Sequence, residues 1–394
     1  MSCLYLQATH FKKNQMKIKT LQKGIILFAV IALAYTAEAQ VKKIPYRFPD
    51  AGEYKVLKGD FHIHTVFSDG VVWPVSRVEE AYIEDFDVIT LTEHIEYRPH
   101  LTDMSTTDHN RSYDIAKNAA ERYGIVLIRS TEITRGMPPG HLNIINIQDA
   151  NKFDIFFNKE NTSDSTNVTL ALNEGRQQGG FIFWNHTAYP TPDNKSTWHP
   201  SHQRLMEQGL MMGIEIVNGE RYESIAFQWC LDHNLTILSN SDVHSTMAQK
   251  RLADGFKVMT LILARDKTSE AVMDALRNRR TVALWNNQLM GRMEHVTPIV
   301  QNAMKAIVHN RGGQLLFEYV NQSGFPFTLQ VDTLPEGFRI RNDVDITVAP
   351  YETVAYTASA QGAIPSSLNV KVLNVWTTPT ENPEILIPVT YIEH

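Results

Sequence analysis

The sequence predicts an α/β barrel followed by an all-β sandwich, and three observations support this prediction. Between about residues 55 and 290, short apolar runs alternate with helical patterns, which is typical of βαβ units built around a parallel sheet. Beyond residue 296, β-branched and alternating runs separated by turn residues replace the helical patterns, as expected of a sandwich. The 394 residues also exceed the roughly 100–200 residues of an ordinary domain.

The elements of the first region follow one another in a regular order. Five helices are expected at residues 74–84, 111–123, 168–178, 221–233 and 268–277. Pro74 suits the first turn of its helix, and Gly124 is a typical stop after the second. Eight strands are expected at residues 59–64, 86–91, 125–130, 142–147, 180–184, 212–217, 235–239 and 256–263. Seven or eight such units are the size of an α/β barrel, which we expect at residues 40–295.

The sandwich is expected at residues 296–394. Its strands are predicted at residues 314–320, 327–331, 345–348, 353–358, 368–373 and 385–391. The region carries no chemical motif, so we interpret it as a structural or docking domain.

The N-terminus reads as a secretory signal peptide with an upstream extension, residues 1–39, and Met16 is the expected true start. Lys17, Lys19 and Lys23 precede an apolar run at 24–35, and Ala37-Glu38-Ala39 offers a cleavage site. The run is shorter than the ~20 residues of a spanning helix. We therefore expect an exported protein, periplasmic or extracellular, without a stable membrane anchor.

Charge and cysteine content exclude several classes of function. The net charge is −6, and removing residues 1–39 takes away five lysines and one glutamate, which leaves −10. An acidic chain without a basic run is poorly suited to nucleic acid. Two cysteines exclude a disulfide framework and thiolate zinc fingers. A metal would therefore need imidazole and carboxylate ligands, and the chain has 15 histidines.

Histidines and acids collect at the ends of the predicted barrel strands. His62 and His64 share one face of a strand end, because residues i and i+2 of a strand point the same way. The others follow or flank later strands: Asp69, His94, Glu132, His141, His186, Asp242 and His244. The carboxyl ends of barrel strands form the active-site face. Nine such side chains would repel or remain unpaired without cations, so two or three Zn²⁺, Mn²⁺ or Fe ions with a bridging carboxylate are expected.

These residues resemble the motifs of the PHP (polymerase and histidinol phosphatase) superfamily of metal-dependent phosphoesterases over residues 55–285, in order as well as in type. Asp60, His62, His64, Thr65 and 68–70 match D-x-H-x-H-T…S-D-G; the other matches are Thr92-Glu93-His94, Glu132, His141, Asn185-His186 and Ser241-Asp242-Val243-His244. The resemblance implies a distorted (β/α)₇, TIM-like barrel with up to three metals. A secreted barrel with an appended sandwich also resembles a subgroup of PHP phosphodiesterases that carry signal peptides.

The resemblance also implies how the ligands divide among the ions. His62, His64, Glu132 and Asp242 would hold one ion, Asp69, His94 and His244 a second, and Glu132, His141 and His186 a third. Two positions depart from the pattern. Asp69 stands where many trinuclear members have histidine, which bears on metal identity, and Thr187 stands where proline is common.

The function predicted is hydrolysis of small phosphate esters, diesters in preference to monoesters, by metal-activated water. Glu132, Asp242 and His244 are the expected catalytic residues, and Tyr97, Arg98, His100 and Arg135 are candidate substrate contacts. One alternative is an amidohydrolase-like C–N or lactone hydrolase, which usually bridges its metals with a modified lysine; residues 119–150 contain none. Another is a secreted metal- or ligand-binding protein without turnover. Substrate identity and oligomeric state stay open.

Overall fold

The structure is a computed structural model that describes residues 46–157, 165–249, 257–331, 334–341 and 345–394. The predicted signal peptide, residues 1–39, lies outside these ranges. Within the described part of the chain, no helix combines the length and apolarity needed to cross a membrane.

The first region contains helices and strands of one mixed sheet. The helices are α1 (Pro74–Ile83), α2 (Arg111–Tyr123), α3 (Ser165–Gln177), α4 (Pro200–Glu207), α5 (Ser224–Asp232), α6 (Ser269–Arg277) and α7 (Met293–Ala303). The strands are β1 (Lys55–Asp60), β2 (Val88–Leu91), β3 (Val126–Ile133), β4 (Leu142–Ile145), β5 (Phe181–Trp184), β6 (Gly213–Asn218), β7 (Arg221–Tyr222), β8 (Thr236–Asn240), β9 (Val258–Ala264), β10 (Thr281–Trp285) and β11 (Gln288–Gly291). The predicted α/β class is therefore confirmed. The elements that the sequence did not predict include α4, β10, β11 and β7, which occupies the start of the helix expected at residues 221–233.

The sheet is mixed, whereas the alternation of strands and helices predicted a parallel one. Its order is β9-β1-β2-β3-β4-β5-β6-β8, with β10 and β11 beyond β9. Strand β4 runs antiparallel to β3 and β5, and β9 runs antiparallel to β1 and β10. Residues 134–141 join β3 to β4 without a helix, and so short a connection permits only antiparallel pairing.

The sheet curls until its far end meets β1. An isolated parallel bridge joins Ile63 to Val243, and Asn240 Oδ1 accepts a hydrogen bond of 2.9 Å from the Phe61 amide. A continuous ladder between β1 and β8 is absent from the described pairings. The distorted (β/α)₇ barrel implied by the family resemblance is therefore not confirmed in full: the described residues form a curled mixed sheet.

The C-terminal region is all-β, as predicted, and its strands form a second sheet of eight strands among the described residues. Its strands are β12 (Met304–Arg311), β13 (Gln314–Asn321), β14 (Phe327–Gln330), β15 (Phe338–Ile340), β16 (Asp345–Val348), β17 (Thr353–Ala360), β18 (Ser367–Val372) and β20 (Glu384–Glu393). Residues 384–388 of β20 pair with β18, and residues 389–393 pair with β12. This strand therefore joins the two halves, β15-β17-β13-β12 and β18-β14-β16.

The two regions share one apolar core. Strand β19 (Val375–Trp376) leaves the second region and pairs with β11 of the first sheet. Buried side chains of α7, such as Val296, belong to the same cluster as Phe317 and Leu284. The position predicted as the domain boundary, between residues 295 and 296, falls inside α7.

Candidate metal centre

The nine side chains predicted as metal ligands all lie at one end of the curled sheet. His62 and His64 follow β1, His94 follows β2, Glu132 belongs to β3, His186 follows β5, and Asp242 and His244 follow β8. His141 instead precedes β4. Because β4 is antiparallel to its neighbours, its amino end lies beside the carboxyl ends of β3 and β5, which explains how a residue before a strand reaches the same place.

Four of these side chains converge most tightly. His62 Nε2 lies 3.1 Å from His64 Nε2, 3.0 Å from Glu132 Oε2 and 3.1 Å from Asp242 Oδ1. His64 Nε2 lies 3.2 Å from each of the two carboxylate oxygens. Ligands ~2.0–2.1 Å from a common centre lie roughly 3.3–3.4 Å apart in a tetrahedron. The four atoms therefore have the spacing of a coordination shell.

The second oxygen of Glu132 faces a different pair of histidines. Oε1 lies 2.8 Å from His141 Nδ1 and 3.9 Å from His186 Nε2. The carboxylate is completely buried, and its two oxygens point to two separate groups of imidazole nitrogens. This placement suits a bridging ligand.

Asp69 lies among a third group of histidines. Its Oδ1 lies 3.1 Å from His244 Nε2, 3.4 Å from His94 Nε2 and 3.6 Å from His64 Nδ1. The structure thus brings all nine candidates together. Their three groups adjoin one another through His64 and Glu132.

Hydrogen bonds at the outer nitrogens leave the inner nitrogens free to act as ligands. His62 Nδ1 meets Glu215 Oε1 at 3.1 Å, His186 Nδ1 meets the Tyr189 carbonyl at 3.1 Å, and His244 Nδ1 meets the Asp242 carbonyl at 2.8 Å. These oxygens only accept, so each Nδ1 carries the proton and each Nε2 keeps its lone pair. Orientation of a ligating imidazole by an outer acceptor is usual at metal sites.

His64 obtains the same tautomer through a relay of two residues. Ser68 Oγ donates its one proton to Glu93 Oε2 at 2.6 Å. Toward His64 Nδ1, which lies 3.1 Å away, the hydroxyl can therefore only accept, so this nitrogen carries the proton. Glu93 is held in turn by the amide and hydroxyl of Thr65, at 3.1 and 2.5 Å. Glu93 belongs to the T-E-H motif of the sequence, but only the structure shows that it acts on His64.

Several atoms of the cluster are buried without a hydrogen bond to any described residue: Asp69 Oδ1, Glu132 Oε1, His141 Nδ1 and Asp242 Oδ1. Glu132 Oε1 and His141 Nδ1 approach to 2.8 Å yet do not align as donor and acceptor. Buried polar atoms in native proteins are nearly always satisfied. Two ligands of one cation would show this close approach without hydrogen-bond geometry, so the residues fit bound divalent metal.

The charges of the cluster shift its titration strongly. Without metal, burial opposes the charged form of His64, but the neighbouring carboxylates of Asp242 and Glu132 outweigh burial and raise the pKa to about 10. Burial likewise opposes ionisation of Glu132, Asp242 and Asp69, yet the surrounding histidines hold all three carboxyl pKa values well below their usual range. The three carboxylates therefore stay anionic and attract positive charge.

The backbone is adapted to this arrangement at two ligand loops. Asp242 has a left-handed φ of 50°, a conformation that non-glycine residues rarely adopt and that clusters at functional sites. Gly70 closes the Asp69 loop against His64. A β-carbon at residue 70 would lie 2.7 Å from the His64 carbonyl, which explains the glycine of the S-D-G motif.

Two residues that support the cluster were not predicted. Glu215 accepts from His62, the His186 amide, Asn218 and Asn240 at 2.8–3.1 Å. A glutamate inside the apolar run 212–217 was a signal that could have identified it. Arg77 of α1 is completely buried and donates to the backbone carbonyls of the two ligand loops, and the sequence offered no comparable signal.

Seven of the nine candidate ligands, all except His62 and His64, line a cavity of about 490 Å³ and form its floor. Of the candidate substrate contacts, Tyr97 lines it, whereas Arg98, His100 and Arg135 do not. Arg98 donates to the carbonyls of Phe67 and Thr107, and Arg135 pairs with Glu96 at 3.3 Å. These two arginines tie loops together. Arg221 lines the cavity instead, and sequence reasoning missed it because β7 has only two residues.

We expect Ser68→Ala to weaken metal binding by about 10–100-fold, the usual effect of losing an outer partner of a ligating histidine. Without the hydroxyl, His64 Nδ1 loses its acceptor and the productive tautomer is no longer enforced. Competition with a chelating dye measures the affinity. Ser201→Ala is the control, since Ser201 Oγ is buried and without a partner among the described residues. An unchanged affinity in Ser68→Ala would contradict the role of the relay.

Comparison with known proteins finds solved structures that are similar to this chain. No family model and no curated protein matches it. A two-domain protein from Bacteroides vulgatus, containing a predicted PHP-like metal-dependent phosphoesterase, is 34% identical, with 88% of this chain and 99% of that chain covered and a TM-score of 0.78. A proposed metal-dependent phosphoesterase from Bifidobacterium adolescentis is 15% identical over 48% of this chain and 88% of its own, with a TM-score of 0.37.

Proposed function

The chain belongs to the PHP-like family of predicted metal-dependent phosphoesterases, and from this premise we propose that it hydrolyses small phosphate esters with water as the nucleophile. Phosphodiesters are the preferred substrates in this proposal. The reaction would take place in the cavity of about 490 Å³ that seven of the nine ligands line.

The observation that carries the proposal is the spacing of four atoms, His62 Nε2, His64 Nε2, Glu132 Oε2 and Asp242 Oδ1. Five of their mutual distances are 3.0–3.2 Å, and Glu132 turns its other oxygen to His141. This arrangement supports the proposal of two or three ions that share Glu132. Nitrogen and carboxylate donors without thiolate favour Zn²⁺, Mn²⁺ or Fe.

When bound, divalent ions would lower the pKa of a water molecule and neutralise the charge of the phosphoryl group. The chain's own residues then orient and move protons. Glu132 is buried and anionic, so it would help to hold the ions in the site. Asp242 and His244 line the cavity and are the proposed carriers of the proton between the attacking water and the leaving oxygen. Asn218 Nδ2 donates to Asp242 Oδ2 at 3.1 Å and so orients this carboxylate.

The proposal is tested by metal analysis and a paired activity assay on one preparation. We expect at least two Zn, Mn or Fe atoms per chain, and faster hydrolysis of bis(p-nitrophenyl) phosphate than of p-nitrophenyl phosphate. Chelation should abolish both activities, and added Mn²⁺ or Zn²⁺ should restore them. Fewer than two metals together with no hydrolysis of either ester would contradict the proposal, whereas faster hydrolysis of the monoester would contradict only the diester preference.

We also propose export to the periplasm or the exterior, supported by the lysines, apolar run and A-x-A site within residues 16–39. Edman sequencing of the secreted protein should start at Gln40.

A small phosphate ester is the proposed partner. Nucleic acid is not expected, because the net charge is −6 over the whole chain.

A further inference from the structure

The cavity differs in character between its floor and its rim. Glu132 at the floor is completely buried, whereas the side chain of Arg221 at the rim is 47% exposed. Tyr97 and Tyr189 line the same cavity and are 53% and 57% exposed. A substrate whose phosphate reaches the floor must therefore place its organic group beside the rim.

Arg221 is held in place by acceptors on two sides. Its Nε donates to Glu223 Oε1 and its Nη2 donates to the carbonyl of Asn194. A guanidinium has five N–H donors, so three of them remain without a partner among the described residues. Because these donors belong to a group that lines the cavity, they are available to an oxyanion of the substrate.

A chain of hydroxyl groups extends this support to the loop after β5. Ser196 Oγ donates to Glu223 Oε2 at 2.9 Å and therefore accepts from Thr187 Oγ1, which lies 2.6 Å away. Thr187 directly follows the ligand His186 and replaces the proline expected there. The guanidinium is thus positioned before substrate arrives, which reduces the entropy lost on binding.

We infer that Arg221 is a specificity residue that binds a second anionic group, carried by the leaving-group side of the substrate. The preferred substrates are then phosphate esters whose organic group bears a carboxylate or a similar oxyanion. Arginine suits this role because its planar fork binds carboxylate through two parallel hydrogen bonds. This inference rests on the proposed phosphoesterase function.

The test compares two aryl esters that differ in one carboxylate, 4-carboxyphenyl phosphate and phenyl phosphate. The measured quantity is the ratio of their kcat/KM values, so that effects common to both substrates cancel. We expect Arg221→Met to lower this ratio by about tenfold, the size of one charge-assisted hydrogen bond at a partly exposed site. Lys195→Met is the control, because Lys195 is an exposed cation on the neighbouring loop that does not line the cavity.

An unchanged ratio in Arg221→Met would overturn the inference. If the ratio were unchanged because kcat/KM fell equally for both esters, the result would assign Arg221 to the scissile phosphate instead. Calorimetry provides a readout without turnover. With Mn²⁺ added, 4-carboxybenzylphosphonate should bind about tenfold more tightly than benzylphosphonate to the wild type, and equally in Arg221→Met. Hydrolysis with equal affinities would refute this inference alone, whereas neither hydrolysis nor phosphonate binding would refute the proposed function as well.

Discussion

Glu132→Gln is expected to abolish turnover while leaving the fold intact. The amide has nearly the shape of the carboxylate but no charge, so a bridging anion is lost between the group around His62 and the group around His141. We expect at least one metal fewer per chain and a kcat/KM lower by at least about 10³-fold, the upper range for losing one electrostatic stabiliser in an active site. Metal analysis and the diester assay measure the two effects.

The change should not unfold the metal-free protein. Glu132 is buried among histidines, and the strand ladder of β3 does not depend on its side chain. The circular dichroism spectrum is therefore expected to match that of the wild type. Glu207→Gln, a neutralisation of an exposed glutamate on α4, serves as the control with full activity. Retention of all metals and of more than a tenth of the activity in Glu132→Gln would contradict a bridging role.

The ligand cluster was predictable from sequence because its residues follow strands that are themselves readable. Short runs such as 86–91 and 235–239 end in Glu93-His94 and Asn240-Ser241-Asp242, and one end of a sheet gathers whatever follows its strands. The predicted ligands therefore lie together even though the sheet is mixed. Alternation of strands and helices does not reveal strand direction. The structure shows that β4 is reversed, because its pairing with β3 runs from Ser130 opposite Ile145 to Ile133 opposite Leu142.

Residues that line the cavity without following a ligand-bearing strand were not predictable in the same way. Arg221 reaches the cavity because β7 pairs with β6. A strand of two residues is too short to produce a recognisable sequence pattern, so this pairing could not be predicted. Arg98 and Arg135 are candidate substrate contacts by sequence because they lie close to ligand motifs. In the structure, however, their guanidinium groups point to other acceptors. Closeness in sequence places a backbone near the site but does not set the direction of a long, flexible side chain.

Arg77 shows how a residue remote in sequence can hold the metal site together. Its Nε donates to the His64 carbonyl at 2.9 Å, and its Nη2 donates to the carbonyls of Val243 and His244 at 3.1 and 2.9 Å. Its Nη1 donates to Ser245 O and to Glu80 Oε2 at 2.7 and 2.8 Å. One guanidinium thus joins the loop after β1 to the loop after β8. Burial lowers its pKa, which reflects the cost of a charged group in this place.

Arg77→Met is expected to cost about 3–5 kcal/mol of unfolding free energy, the range for removing one partner of a buried ionic network. Methionine fills much of the volume but donates nothing, so four carbonyls and Glu80 lose their partner. Urea denaturation of the metal-free protein measures the loss. Because the same carbonyls belong to the ligand loops, metal affinity should fall as well.

A second substitution separates positioning from charge. Arg77→Lys keeps the positive charge but has three donors on one nitrogen, which cannot reach both loops at once. We expect it to recover part of the stability and little of the metal affinity. Arg122→Met, at an exposed position near the end of α2, should change neither quantity. Wild-type metal affinity in Arg77→Lys would show that positive charge alone is sufficient. In that case the five hydrogen bonds that join the two loops would not position His64 and Asp242.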